Sequence, residues 1–290
     1  MSTNPSVSKS VLITGCSTGI GRATALRLAQ AGWKVYATAR GVEKLADLEK
    51  AGCRTLALDV MNEASMVEAV RRIEQEDGAV GVLINNAGYS QSGALETVDI
   101  NDVRRQFETN VFGLLRLTQL VLPGMRRQGW GKVVNLGSMG GKLTFPGGGA
   151  YHATKYAVEA LSDALRFEVR GFGVDVVLIE PGLIRTEFSQ AAVGSMSGSL
   201  QKADGPYAGF NSAVAQSTQD AYVKGPLAKL GGEAEDVAQV IHRAIEARRP
   251  RARYTVTASA KVLLMRRAMM PDGMWDAFLR TQFPQPGAKN

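Results

Sequence analysis

Tyr151 and Lys155 stand four residues apart in Ala150-Tyr151-His152-Ala153-Thr154-Lys155, and Ser138 precedes the tyrosine by thirteen. A spacing of four puts two side chains on one face of a helix. A phenol in water titrates near pH ~10 and is a poor proton carrier at neutrality. An ammonium one turn away stabilises the phenolate and lowers that value. A phenol tuned in this way can exchange a proton with a substrate oxygen. Taken alone, Tyr-x-x-x-Lys is what any two long side chains on a helix face produce. Its weight comes from a second feature near the start of the chain.

That feature is Thr14-Gly15-Cys16-Ser17-Thr18-Gly19-Ile20-Gly21, set between an apolar run, Val11-Leu12-Ile13, and a helical pattern from Ala23 to Ala29. Strand, glycine turn and helix N-terminus together form an anion site, because free backbone N–H groups and the positive end of the helix dipole face the ligand. Glycines let the backbone approach a pyrophosphate and let the helix pack on the sheet. The spacing Gly-x-x-x-Gly-x-Gly differs from Gly-x-Gly-x-x-Gly. An ordinary glycine-rich turn is the competing reading, and the position directly after a buried-type strand favours a nucleotide.

The elements that must position these groups follow from periodicity. Short apolar runs alternate with helical patterns, the signature of βαβ units and a parallel sheet. Strands are predicted at Ser10–Thr14, Lys34–Ala39, Arg54–Asp59, Val80–Asn85, Gly131–Leu136, Asp175–Ile179 and Tyr254–Thr257. Helices are predicted at Ile20–Ala31, Val42–Lys50, Glu63–Glu76, Asn101–Arg127, Ala150–Arg170, Ala234–Arg248 and roughly Lys261–Arg280. The expected fold is α/β: a single doubly wound Rossmann domain over residues 10–290, with a parallel sheet of about seven strands flanked by helices. Residues 1–9 read as a flexible tail. Residues 187–232 break the rhythm, apart from a short helix around Asn211–Tyr222, and read as a substrate lid; a functionless insertion competes with that reading. Residues 233–290 form a C-terminal extension.

Composition narrows the classes. With 290 residues and 45% hydrophobic content, the chain can bury a full core. It has no apolar stretch of membrane-spanning length, and Met1 to Lys9 has no signal-peptide core. Two cysteines, Cys16 and Cys53, form no C-x-x-C pair, which favours a reducing, cytoplasmic setting. The net charge of +7 thickens in Arg248-Arg249-Pro250-Arg251-Ala252-Arg253. No aromatic residues interleave there to stack bases, so a solvated face is preferred to a nucleic-acid or membrane contact.

The motifs together resemble the short-chain dehydrogenase/reductase family over about Ser10 to Phe188. They stand in family order: Thr14 to Gly21, Asp59-Val60, Asn85-Asn86-Ala87-Gly88, Asn110, Ser138, Tyr151-x-x-x-Lys155 and Pro181-Gly182. The turn and Tyr36-Ala37-Thr38-Ala39-Arg40 look like the hydroxysteroid and retinol dehydrogenase branch. The resemblance implies hydride transfer between nicotinamide and a carbonyl or alcohol carbon. It makes Tyr151 the general acid/base and gives Lys155 the tasks of depressing its pKa and bonding the nicotinamide ribose. Ser138 would donate to the substrate oxygen, and Asn110 would hold a proton-relay water. For the cofactor it implies contacts from Gly15, Ser17, Thr18, Gly19, Ile20, Gly21, Asp59, Val60, Asn86, Ala87, Gly88, Pro181, Gly182, Ile184 and Thr186. It also implies a homodimer or homotetramer built on Asn101–Arg127 and Ala150–Arg170.

The choice of cofactor rests on the residues themselves. An NAD site carries an acid at the end of the second strand; here Ala39 stands in its place and Arg40 follows. An arginine pairs with a 2′-phosphate as a charged fork, so NADP(H) is expected over NAD(H). Two isolated histidines, His152 and His242, make no metal constellation. His152 lies about 100° around the helix from Tyr151 and reads as structural. Met139, Leu143, Phe145, Pro146 and Phe188 suggest an apolar pocket for a steroid-, retinoid- or lipid-like carbonyl compound. A reductase of small xenobiotic ketones or aldehydes and a silent NADP(H) sensor are the alternatives.

Overall fold

The computed structural model describes residues 7–196 and 205–287. Strands β1 (Val11–Ile13), β2 (Val35–Ala39), β3 (Arg54–Ala57), β4 (Val82–Asn85), β5 (Gly131–Leu136), β6 (Val174–Pro181) and β9 (Arg253–Val256) form one sheet in the order β3-β2-β1-β4-β5-β6-β9. Every neighbouring pair in it is parallel. Central strands such as Val-Leu-Ile of β1 and Val-Leu-Ile-Asn of β4 are buried throughout, as a sheet covered on both faces requires. The strand order reverses between β1 and β4, and that is where a doubly wound sheet opens a crevice at its C-terminal edge.

Helices α1 (Gly19–Gln30) and α10 (Ala234–Glu246) cover one face, and α3 (Glu63–Asp77), α5 (Gly113–Gln128) and α6 (Gly149–Val169) the other. Each turns a stripe of apolar residues inward, for example Met66, Ala69, Val70 and Ile73 of α3. Shorter α2 (Ala46–Lys50) follows a 3₁₀ turn at Val42–Leu45, where a single helix was expected. The expected helix Asn101–Arg127 is α4 (Ile100–Phe107), a π turn at Glu108–Phe112, and α5. The C-terminal helix predicted near Lys261–Arg280 is two, α11 (Ala258–Met269) and α12 (Asp272–Arg280), because Pro271 cannot continue the first.

The region after Thr186 holds more structure than its sequence suggests. It contains α7 (Phe188–Gly194), α8 (Ala208–Val223) and α9 (Gly225–Lys229). A two-residue parallel pair, β7 (Ile184–Arg185) with β8 (Gly232–Glu233), ties the base of this excursion together. Part of the expected lid, 197–204, and residues 1–6 of the expected tail lie outside the described residues. Ser8 is not part of a free tail: its hydroxyl donates to the Ala79 carbonyl at 2.7 Å and its N–H to Gln128 Oε1 at 3.0 Å.

A charged network lies behind α6. The Glu180 side chain in β6 is fully buried. Lys142 Nζ stands 2.5 Å from it, and the Thr255 hydroxyl donates to it at 2.7 Å. Arg253 Nε donates to Glu159 of α6 at 3.1 Å. Burial first, and the Glu180 carboxylate second, push the Glu159 carboxyl up to about 7. Among the described residues, no helix is long and apolar enough to cross a membrane.

Candidate active site

The glycine turn closes the β1 end of a cavity of about 1020 Å³ that runs along the C-terminal edge of the sheet. Gly15 and Gly19 adopt φ of 72° and 57°, a left-handed backbone that side chains disfavour. A Cβ at Gly15 would come within 3.0 Å of the Ala87 backbone, so the glycine lets the turn close on the strand beside it. Asn86 fixes that contact, donating from Nδ2 to the carbonyls of Thr14 at 2.8 Å and Gly15 at 3.0 Å. Thr18, the N-cap of α1, is extended at φ −149°, and its side chain accepts no capping bond. The start of α1, where Gly19 and Ile20 line the cavity, is therefore left without a side-chain cap. This cradle fits a dinucleotide pyrophosphate, and no metal-ligating cluster occurs among the described residues.

The other expected contacts fall along the same wall. Arg40, Asp59, Val60, Ala87, Gly88, Pro181, Gly182, Ile184 and Thr186 all line the cavity, and Arg40 is exposed. The loop after β6 approaches the glycine turn: a Cβ at Gly19 would stand 3.5 Å from the Thr186 side chain. Ser138, Met139, Phe145, Tyr151, Lys155 and Phe188 line the opposite end. Phe188 packs with its ring centroid 5.5 Å from that of Tyr151.

Three expected contacts do not reach the cavity. Gly21 packs beneath the turn, where a Cβ would overlap Asn86 and the Gly15 carbonyl. Leu143, expected in the pocket, is fully buried behind it in the cluster of Met139, Leu183, Leu263 and Trp275. The Asn110 side chain, placed by the π turn, is committed locally: Oδ1 accepts from Tyr89 N–H at 3.1 Å. Its Nδ2 donates to the Tyr89 carbonyl at 2.9 Å and to Thr154 Oγ1 at 3.1 Å. It braces the loop after β4 against α6.

The electrostatics differ from the expectation that Lys155 lowers the tyrosine. Burial pushes the Tyr151 phenol above its ordinary value, with the Ser138 hydroxyl pulling down and Tyr222 adding to the rise. Lys155 Nζ donates to the Leu136 carbonyl at 2.6 Å and stands 5.7 Å from the phenol ring centroid. At an effective dielectric near 20, a cation about 6 Å away recovers roughly 3 kcal/mol, about two pK units. Tyr151 is half-buried on the cavity wall, and desolvating a phenol costs up to about 3–5 units. Burial wins, and it also pulls the Lys155 ammonium down to about 8.

Residues that carried no motif complete the site. Tyr222 and Val214 of α8, Leu263 of α11 and Phe278 of α12 line the substrate end, as does His152. The short helix expected around Asn211–Tyr222 was the one signal for α8, and nothing in the sequence joins it to Tyr151.

A parallel sheet with a glycine turn at its switch point and a deep cavity on its C-terminal edge defines the class, a Rossmann-type oxidoreductase. The chain belongs to the short-chain dehydrogenase/reductase family, whose members act on alcohols and carbonyls: the family model described as short chain dehydrogenase matches residues 9–196. It is 33% identical over 269 residues to a probable short-chain type dehydrogenase/reductase, VdlC, of Helicobacter pylori, covering 93% of this chain and 96% of that protein. It is 35% identical to human 17-beta-hydroxysteroid dehydrogenase type 1, covering 91% and 82%. To the NADPH-dependent 3-dehydrocapnine reductase of Ornithobacterium rhinotracheale it is 36% identical, covering 91% and 94%. Among solved structures, a short-chain dehydrogenase from Streptomyces avermitilis superposes with a TM-score of 0.75 at 31% identity, covering 94% and 96%. A short-chain dehydrogenase/reductase from Burkholderia phymatum in complex with NAD gives 0.76 at 27% identity, covering 98% of each chain.

Proposed function

We propose that the protein is an NADP(H)-dependent reductase of hydrophobic ketones, with Tyr151 as the proton donor. The observation that carries this reading is the convergence of Ser138, Tyr151 and Lys155 on one wall of a cavity continuous with the glycine turn. A bound nicotinamide would supply the hydride for a substrate carbonyl, or accept it in the reverse direction. The backbone from Gly15 to Ile20 holds the pyrophosphate at the N-terminus of α1. Arg40 pairs with a 2′-phosphate, and no acid at Ala39 repels it. Pro181, Gly182, Ile184 and Thr186 flank the nicotinamide end.

At neutral pH the raised Tyr151 phenol is protonated, the state that a donor to a ketone oxygen needs. Ser138 donates to the same oxygen and stabilises the charge that develops there. The Lys155 cation offsets the phenolate left after transfer and bonds the nicotinamide ribose. Met139, Phe145, Phe188, Val214, Leu263 and Phe278 give the substrate end an apolar lining, which suits a steroid- or lipid-like ketone. The name of the human relative, a hydroxysteroid dehydrogenase, agrees with such a substrate.

The test is NADPH- and NADH-dependent reduction of a panel of medium-chain and cyclic ketones. Wild type should prefer NADPH, and Arg40→Asp should move that preference toward NADH. Tyr151→Phe should lose on the order of a thousandfold or more in kcat while still binding NADPH. A Tyr151→Phe enzyme that turns over at the wild-type rate removes the mechanism.

A further inference from the structure

We propose that His152 is a positioning residue for the reaction: through Gly140 it fixes the Ser138 hydroxyl so that its single hydrogen is directed at the reacting oxygen. The inference rests on the roles assigned above to Tyr151 and Ser138. His152 Nδ1 lies 3.0 Å from the Gly140 carbonyl oxygen in a buried contact. A carbonyl only accepts, so Nδ1 carries the proton. On the other side of the same residue, the Gly140 N–H donates to Ser138 Oγ at 3.0 Å. Gly140 is thus held at its carbonyl by the imidazole while its amide holds the serine.

A hydroxyl has one hydrogen and two lone pairs. With Oγ accepting from Gly140, the hydrogen is turned away from the loop, toward the side on which Tyr151 and the cavity lie. Ser138, Tyr151 and His152 all line that side of the cavity.

The imidazole sits in a built slot. A Cβ at Gly148 would stand 2.7 Å from Nε2 and 2.8 Å from Cδ2, and a Cβ at Gly140 would overlap Nδ1. Both walls of the slot are therefore residues without side chains. The rings of Phe145 and Tyr151 pack on it, with centroids at 6.3 Å and 5.6 Å. Burial holds the ring below its ordinary pKa, so it is neutral at pH 7 and brings no second charge to the site. The sequence hides this role because His152 leaves α6 in a direction different from that of Tyr151. The loop from Ser138 to Gly148 wraps around to meet it.

Two substitutions separate donation from packing. His152→Asn keeps an N–H donor close to the position of Nδ1, whereas His152→Leu keeps the volume and loses the donor. With ketone and NADPH, His152→Leu should lose roughly tenfold to a hundredfold in kcat with the KM for NADPH unchanged, and His152→Asn should recover to within about threefold. The ascending limb of the pH profile for alcohol oxidation should move to higher pH in His152→Leu and return in His152→Asn. In a Ser138→Ala background, His152→Leu should cost nothing further.

Equal losses in the two variants, an unmoved limb, or losses that multiply with Ser138→Ala would overturn the inference. If His152→Leu fails to fold, the Asn variant alone and in the Ser138→Ala background decides: a loss that persists there overturns it. A Tyr151→Phe enzyme that is inactive beside a fully active His152→Leu enzyme sinks this inference alone. A fully active Tyr151→Phe enzyme sinks the reaction reading beneath it.

Discussion

Tyr151 sits where its phenolate is costly, and the cation meant to offset that cost is itself weakened by the same burial. The sign of the pH dependence follows. Lys155 is pulled down to about 8, so its charge is complete below that pH and is lost as the pH rises through it. The proposed reduction needs a protonated Tyr151 and a charged Lys155, and both conditions are met on the acid side. The kcat/KM for ketone reduction should be flat from about pH 6 to 7.5 and fall about tenfold per unit above about 8. A plateau through pH 9.5 would show that the ammonium takes no part. Most residues on the cofactor wall were legible beforehand, because a glycine that must adopt positive φ or a strand-end arginine leaves a local mark. Leu143 was misplaced because an apolar side chain beside a site can turn either way, and only packing decides. Tyr222 went unseen and His152 was read as structural, because what each one faces depends on chain folded over it from elsewhere.

At the scale of elements, every strand of the main sheet was readable from its run of branched residues, and the boundaries moved by one or two positions. The errors share a cause. A period of 3.6 continues through a π turn and past Pro271, so the pattern hides where a helix changes register or direction. The π turn at Glu108–Phe112 places Asn110 against Tyr89 and Thr154, and π turns recur at functional sites. Between α6 and β6, the Glu159–Glu180 pair makes stability depend on pH. The Glu159 pKa is raised in the folded chain, so its contribution is fully present below about 4.5 and is lost as the pH rises through about 7. Glu159→Gln removes that slope. Its melting temperature should match that of wild type near pH 5 and exceed it near pH 8, measured by calorimetry. An offset that is the same at both values would mean that Glu159 titrates normally.

For the whole molecule, the outer face of the layer that holds α5 and α6 matters as much as the cavity. Phe167 of α6 is 89% exposed, with Phe112 at 51% and Tyr156 at 46%. Tyr156 and Phe167 lie eleven residues apart on α6, a spacing of about three turns that keeps them on one face. We propose that these large apolar side chains form a surface for association, with a second copy of the chain as its occupant. Wild type should run as a dimer or larger species in light scattering, and Phe167→Asp should shift it toward the monomer. A wild-type monomer at micromolar concentration would show that this surface serves something else.

The β7–β8 pair has a consequence for engineering. By clasping the stem of the 187–232 excursion, it lets that excursion vary in length and content without disturbing the strands that hold the nucleotide. A replacement grafted between Glu187 and Gly231 should thus alter which compounds are accepted while the nucleotide still docks, much as a tool handle accepts different blades.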